Sequence, residues 1–252
     1  MAPWQAWGAA WNVAGGVRYH LQALRWRRTL WAPYTAHVAA TLVAWRPATD
    51  RLVVVGPSAG WHLPAAWLAG FTEVVAIEPD PLARWLLRRR FPAVRWRFDA
   101  DDYFTPEGPR SWADNTGRLL DTHRDAAALF ANFLGQLVAL YPDAVAREHG
   151  DALLAAPAYR AWQRSVVRAL GGRPWLSLHD RLSSDRAPRR SEWRSDGPTP
   201  SADLAELFWP RGATVIDHLS DGWAGPGPCG YQVWQRKPAM FHVIETVGPV
   251  HQ

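Results

Sequence analysis

The chain has 252 residues, of which 48% are hydrophobic, enough apolar mass to bury a sizeable core and within the size of one α/β domain. Its one cysteine, Cys229, excludes an intramolecular disulfide and a cysteine-built metal centre, and Arg25, Arg27, Arg28, His37 and Arg46 break the N-terminal apolar stretches before any of them reaches the length of a membrane span. The net charge of +5 comes almost entirely from arginine, Lys237 being the only lysine, and clusters such as Arg25-Trp26-Arg27-Arg28 and Arg88-Arg89-Arg90 alternate with apolar groups, which reads as solvated helix faces and argues against a nucleic-acid surface.

Apolar residues at helical spacing between Tyr19 and Trp45, interrupted by Pro33, predict two helices. Arg51-Leu-Val-Val-Val-Gly56 is a β-branched run ending on glycine, the pattern of a first strand buried on both faces. Trp61 to Leu68 reads as a helix, Glu73-Val-Val-Ala-Ile77 as a second strand, and Pro81 to Arg90 as a helix opened by Asp80 as cap and Pro81 at its first position. Val94 to Phe98 gives a third strand, Pro106 to Asp125 a polar loop, and Ala126 to Phe133 a fourth strand. Pro142 to Leu170 reads as a helical region with a break near Gly150 or Pro157, and Pro174 to Leu178 as a fifth strand. Arg181 to Pro200, rich in Arg, Ser, Asp and Pro, reads as an exposed loop. Ala202 to Phe208 follows as a helix and Ala213 to Ile216 as a strand, and Gln232 to Gln235 with Met240 to Thr246 close the chain as an antiparallel hairpin.

Strands alternating with helices imply a Rossmann-like, doubly wound, mostly parallel sheet with an antiparallel last strand and an N-terminal helical extension, ligands lying at the carboxyl ends of the strands. The expected division is an extension over 1–48 and a Rossmann-like domain over 49–252. The N-terminus lacks the charge-then-apolar order of a secretory signal, so a cytoplasmic protein is expected. The 17 tryptophans are dispersed, which favours core packing.

The most informative segment is Val53-Val54-Val55-Gly56-Pro57-Ser58-Ala59-Gly60, with Glu78 at the end of the next strand. Gly56 permits a sharp turn, Gly60 a close backbone approach, and Glu78 stands 22 positions after Gly56, near the interval of about 20 at which an acidic side chain meets ribose hydroxyls in nucleotide-binding βαβ units. A dinucleotide fingerprint would need glycine where Ser58 and Trp61 stand, which counts against a nicotinamide enzyme. No G-x-S-x-G elbow is present.

On these residues the chain resembles the class I S-adenosylmethionine-dependent methyltransferases, over roughly Arg51 to Gln136. The resemblance implies a cofactor, S-adenosylmethionine, whose methionine portion is cupped by Gly56, Pro57, Ser58 and Gly60 and whose ribose is held by Glu78 in Ile77-Glu78-Pro79-Asp80. It also implies an acid near the adenine, for which Asp99-Ala100-Asp101 is the match, with Asp99 the better candidate, and a methyl-transfer pocket lined from Asn132-Phe133-Leu134-Gly135. Val54 and Ser58 stand where the family commonly has an acid and a glycine.

The expected activity is methyl transfer to a small-molecule acceptor, with a non-catalytic binding module of the same fold as the alternative. Tyr19 and His20, ahead of the first strand, and His179 after the fifth are candidates to meet the acceptor. His179-Asp180 and Asp217-His218 could each orient an imidazole base through a carboxylate, although loop histidines bonded to backbone are commoner. No metal-ligand spacing is recognisable, and no metal is expected.

Overall fold

The structure, a computed structural model, describes residues 16–99, 103, 109–132, 152–225 and 227–248. Helices α1 (Val17–Trp26) and α2 (Ala32–Ala44) precede strand β1 (Arg51–Val55), whose last four residues are all buried. Then come α3 (Ala65–Leu68), β2 (Glu73–Ile77), α4 (Pro81–Arg90), β3 (Trp96–Asp99), α5 (Pro109–Thr122) and β4 (Ala127–Ala131). The chain continues with α6 (Ala152–Leu170), β5 (Trp175–Ser184), β6 (Glu192–Ser195), α7 (Ser201–Phe208), β7 (Ile216–Asp217), a 3-10 turn (Asp221–Trp223), β8 (Cys229–Lys237) and β9 (Met240–Val247).

The strands form one sheet in the order β3-β2-β1-β4-β5-β9-β8-β6, with β7 beside β5. From β3 to β5 all pairings are parallel, and β9, β8 and β6 extend the sheet antiparallel. The order reverses between β1 and β4, which opens a crevice at their carboxyl ends, the usual ligand position in open α/β sheets.

Alternation along the strands sends side chains to two cores. Val53, Val55, Val75, Ile77, Ala128 and Phe130 face one layer, which also holds residues from α5, α6 and α7. Leu52, Val54, Val74, Ala76, Ala127 and Leu129 face the other, which holds α1, α2 and Leu87 of α4. The dispersed tryptophans serve both cores: Trp31, Trp209, Trp223 and Trp234 are fully buried. No helix among the described residues is long and apolar enough to cross a membrane.

The parallel strands β1 to β4 follow the sequence reading closely because their signals are local. The Asp80 carboxylate accepts the Leu82 N–H at 2.9 Å and so caps α4, with Pro81 at the first position. Elsewhere the structure corrects that reading. Pro109–Thr122, expected as loop, is helical because Leu119 and Leu120 bury against the sheet. The helix expected from Trp61 is only the single turn Ala65–Leu68. α6 runs unbroken through Pro157, while Gly150 lies outside the described residues. The segment from Arg181 is no loop at first: β5 continues to Ser184 with every residue buried, and Glu192–Ser195 pairs with β8. The strand expected over Ala213 to Ile216 is the short bridge Ile216–Asp217, and the expected closing hairpin is β8 with β9, to which β6 adds a further antiparallel edge strand.

Candidate functional site

Register sets the first row of the site. Val55 pairs with Ile77 and Ile77 with Asp99, so Gly56 and Glu78 come side by side at the carboxyl edge, one residue beyond the row that Asp99 closes. The Gly56 N–H donates to the Ile77 carbonyl at 3.1 Å, and the Glu78 N–H to that of Asp99 at 3.2 Å.

The loop after β1 needs left-handed backbone three times: φ is +66° at Gly56, +50° at Ser58 and +62° at Gly60. Glycine adopts this at no steric cost, whereas Ser58 does so against its own Cβ. At Gly60 an added Cβ would lie 2.8 Å from Cε2 of the buried Phe91, so glycine is required for packing as well. The loop closes on itself where the Gly60 N–H donates to the Pro57 carbonyl at 2.8 Å. Arg90 donates to the Ala59 carbonyl, and its guanidinium lies 4.0 Å above the Trp61 ring, which holds the loop against α4. Burial and neighbouring Arg27 push the Arg90 guanidinium down to about 10.

Glu78 binds that loop directly. Its Oε2 accepts the Ser58 N–H at 2.8 Å and its Oε1 accepts the Asp80 N–H at 3.0 Å. Burial pushes the Glu78 carboxyl up to about 7 despite both donors. Two of its roughly four acceptor positions are thus used, and the others are open to a ligand donor. Ser58 Oγ is buried and has no hydrogen-bond partner among the described residues.

Asp99 accepts the Tyr103 hydroxyl at 2.8 Å, and His123 Nε2 stands 3.7 Å from the same oxygen. Asn132, at φ +56°, is a joint between strands: its N–H donates to the Leu178 carbonyl at 2.7 Å and its Oδ1 accepts the Asp180 N–H at 3.1 Å. Pro79 lies between Glu78 and Asp80 in the same corner. Ala100, Asp101 and the segment Phe133 to Gly135 lie outside the described residues.

His20 reaches this corner from α1. The Trp61 Nε1–H donates to His20 Nδ1 at 3.1 Å, which places the ring proton on Nε2, 3.8 Å from Asp80 Oδ2. Tyr19 packs between Trp31 and Trp234 with Arg236 over its ring.

His179 faces the opposite core. It is fully buried, with Ser177 Oγ 2.9 Å from Nδ1 and Glu245 Oε2 2.9 Å from Nε2, and Arg181 donates to the other oxygen of Glu245 at 2.7 Å. Burial alone would push Glu245 up, but the Arg181 guanidinium and the His179 hydrogen bond outweigh it and hold it down at about 2. The geometry makes this ion network a structural joint between β5 and β9.

Partners for the two Asp/His motifs come from other strands. Asp180 Oδ1 pairs with His242 Nδ1 at 3.0 Å, and His218 Nε2 meets Ser183 Oγ at 3.0 Å. His242 carried no signal in the sequence, because it lies within a strand-like run 62 residues from its partner. Among the described residues no group of three or more His, Cys, Asp and Glu could hold a metal ion.

No protein-family model and no curated protein matches the sequence. Among solved structures, the chain is similar to DhpI in its complex with SAH, at a TM-score of 0.37 and 15% identity over 93% of this chain and 95% of that one. It is likewise similar to a TehB-like SAM-dependent methyltransferase from Corynebacterium glutamicum, at a TM-score of 0.37 and 15% identity over 92% and 98% of the two chains. A SAM-dependent methyltransferase from Anabaena variabilis follows at a TM-score of 0.36 and 11% identity over 81% and 79%.

Proposed function

We propose that the protein is an S-adenosylmethionine-dependent methyltransferase acting on a small-molecule acceptor. The observation that carries this reading is the coupling of Glu78 to the glycine loop through the Ser58 N–H at 2.8 Å, at the carboxyl edge where β1 and β4 diverge.

The residues present fit that cofactor. Glu78 keeps acceptor capacity for two ribose hydroxyls, as a vicinal diol requires. Gly56, Pro57, Ser58 and Gly60 form a tight turn without a phosphate-binding run of bare glycines, which suits a ligand that carries no phosphate. The orphaned Ser58 Oγ is available to a polar group of the methionine portion. In this reading Pro79 shapes the ribose corner, Asp99 and Ala100 border the adenine, and Asn132 borders the methyl-transfer pocket.

When bound, the cofactor supplies a sulfonium methyl, whose in-line transfer depends chiefly on proximity and alignment. The chain's part is to orient: Glu78 fixes the ribose, the loop fixes the methionine portion, and α1 with Tyr19 and His20 covers the acceptor side. Arginines scattered along the sequence rather than gathered into one basic run favour a small acceptor over a nucleic acid.

The test is calorimetric titration of the protein with S-adenosylmethionine and S-adenosylhomocysteine. Micromolar binding of both that is lost in Glu78→Ala supports the reading. A folded protein that binds neither leaves a non-catalytic module of the same fold.

A further inference from the structure

Beneath α1 and α2, on the face of the sheet that Glu78 and the glycine loop border, β5 and β9 bring together a carboxylate and an imidazole. Asp180 Oδ1 lies 3.0 Å from His242 Nδ1, and both side chains are more than nine-tenths buried. Because an ionised carboxylate only accepts, the ring must donate Nδ1–H to it, and the neutral ring then carries its lone pair on Nε2. That nitrogen is buried and has no hydrogen-bond partner among the described residues.

The pair is held from every side. Asn132 Oδ1 accepts the Asp180 N–H at 3.1 Å, and Ser220 Oγ donates to the Asp180 carbonyl at 2.5 Å, so the Asp180 backbone is anchored to the residue after β4 and to the turn at Ser220. The Trp234 ring packs 5.5 Å from that of His242, and His218 approaches to 6.0 Å. Burial pushes the Tyr19 and Tyr34 phenols up, and the charge of Asp180 adds to the effect on both. A carboxylate that fixes the tautomer and direction of an imidazole, whose second nitrogen is left open, is the arrangement of a general base.

We propose, on the reading of the site as a methyltransferase, that His242 is the general base and Asp180 its positioning residue. The acceptor is then an oxygen or nitrogen nucleophile that carries a proton, rather than a carbon or a thioether. The acceptor atom forms its bond to the methyl carbon while the carbon–sulfur bond breaks with its electron pair going to sulfur. The acceptor's proton passes to His242 Nε2, and the resulting imidazolium is stabilised by Asp180 until the proton is lost to water. The oxygen or nitrogen loses one bond to hydrogen and gains one to carbon, so no further reactant is needed.

The test uses the intact protein and needs no acceptor. Nitrogen-15 spectra of the histidine rings report which nitrogen of neutral His242 is protonated, and a nuclear Overhauser experiment with S-adenosylmethionine labelled with carbon-13 at its methyl reports what that methyl touches. The expected result is an Nδ1–H ring that loses this preference in Asp180→Ala, together with a cross-peak between the labelled methyl and the His242 ring in the unaltered protein. An Nε2–H ring, or bound S-adenosylmethionine without that cross-peak, overturns the role of His242 and leaves the cofactor reading intact. Failure of S-adenosylmethionine and S-adenosylhomocysteine to bind at all, read by calorimetry, overturns both.

Discussion

The backbone N–H of Ser58 donates to Oε2 of Glu78 at 2.8 Å, which ties the turn after β1 to the end of β2 through one buried carboxylate. Because that carboxyl is pushed up to about 7 from an ordinary 4.5, the folded chain holds more protons there than the unfolded chain between those values. This site therefore favours the fold most below pH 4.5, and its contribution falls as pH rises to about 7, by up to about 3 kcal/mol. Urea denaturation at several pH values should show a flatter profile over this window in Glu78→Gln than in the unaltered protein. Affinity for a ribose-bearing ligand should rise through pH 7 as Glu78 ionises, and the variant should lack the rise.

The backbone of the same turn makes a second, opposed pair of predictions. Ser58→Gly removes a side chain from a left-handed position and an orphaned hydroxyl from the interior, so it should stabilise the protein by about 1 kcal/mol. Gly60→Ala adds a Cβ where φ is +62° and Phe91 stands 2.8 Å away, and should cost about 2 kcal/mol. Thermal midpoints moving in the same direction for both variants would contradict this account of the loop.

Arg181 and Glu245 are both fully buried and bonded at 2.7 Å. Arg181→Met strands the Glu245 charge inside and should cost about 3–5 kcal/mol by urea denaturation, most of which returns when Glu245→Leu is added. Because Glu245 is held down at about 2, its stabilising contribution is present above pH 4.5 and is lost as pH falls toward 2. The double variant should lack that acid-side loss.

Trp234 joins the antiparallel end of the sheet to the N-terminal helices, with its ring centroid 5.1 Å from Trp31, 5.5 Å from Tyr34 and 5.0 Å from His62. Trp234→Ala should cost about 3–5 kcal/mol and weaken the near-ultraviolet circular dichroism that these stacked rings produce. An unchanged spectrum would mean that α1 and α2 do not pack on β8 in solution.

What the sequence disclosed was what neighbours in sequence decide. β1 and β2 are β-branched runs bounded by turns, α4 announces itself by Asp80 and Pro81, and Glu78 stands at a spacing fixed by one strand-helix-strand unit. The second half of β5 was hidden, since Arg181 and Ser183 read as loop residues until Glu245 arrives from β9 to satisfy the arginine. β6 alternates exposed and half-buried residues on a sheet edge and offers no apolar pattern. The Asp180–His242 pair could not be read for the same reason, because a register shift between Asp180 and Leu182 decides where Asp180 meets its partner strand.

The central claim is that the corner between Gly56 and Glu78 holds S-adenosylmethionine, and isothermal titration with S-adenosylmethionine, S-adenosylhomocysteine and NADH tests it most directly. The account predicts micromolar binding of the first two, none of NADH, and loss of binding in a folded Glu78→Ala variant. Binding of NADH instead, or binding of the sulfur ligands that Glu78→Ala leaves unchanged, would contradict it.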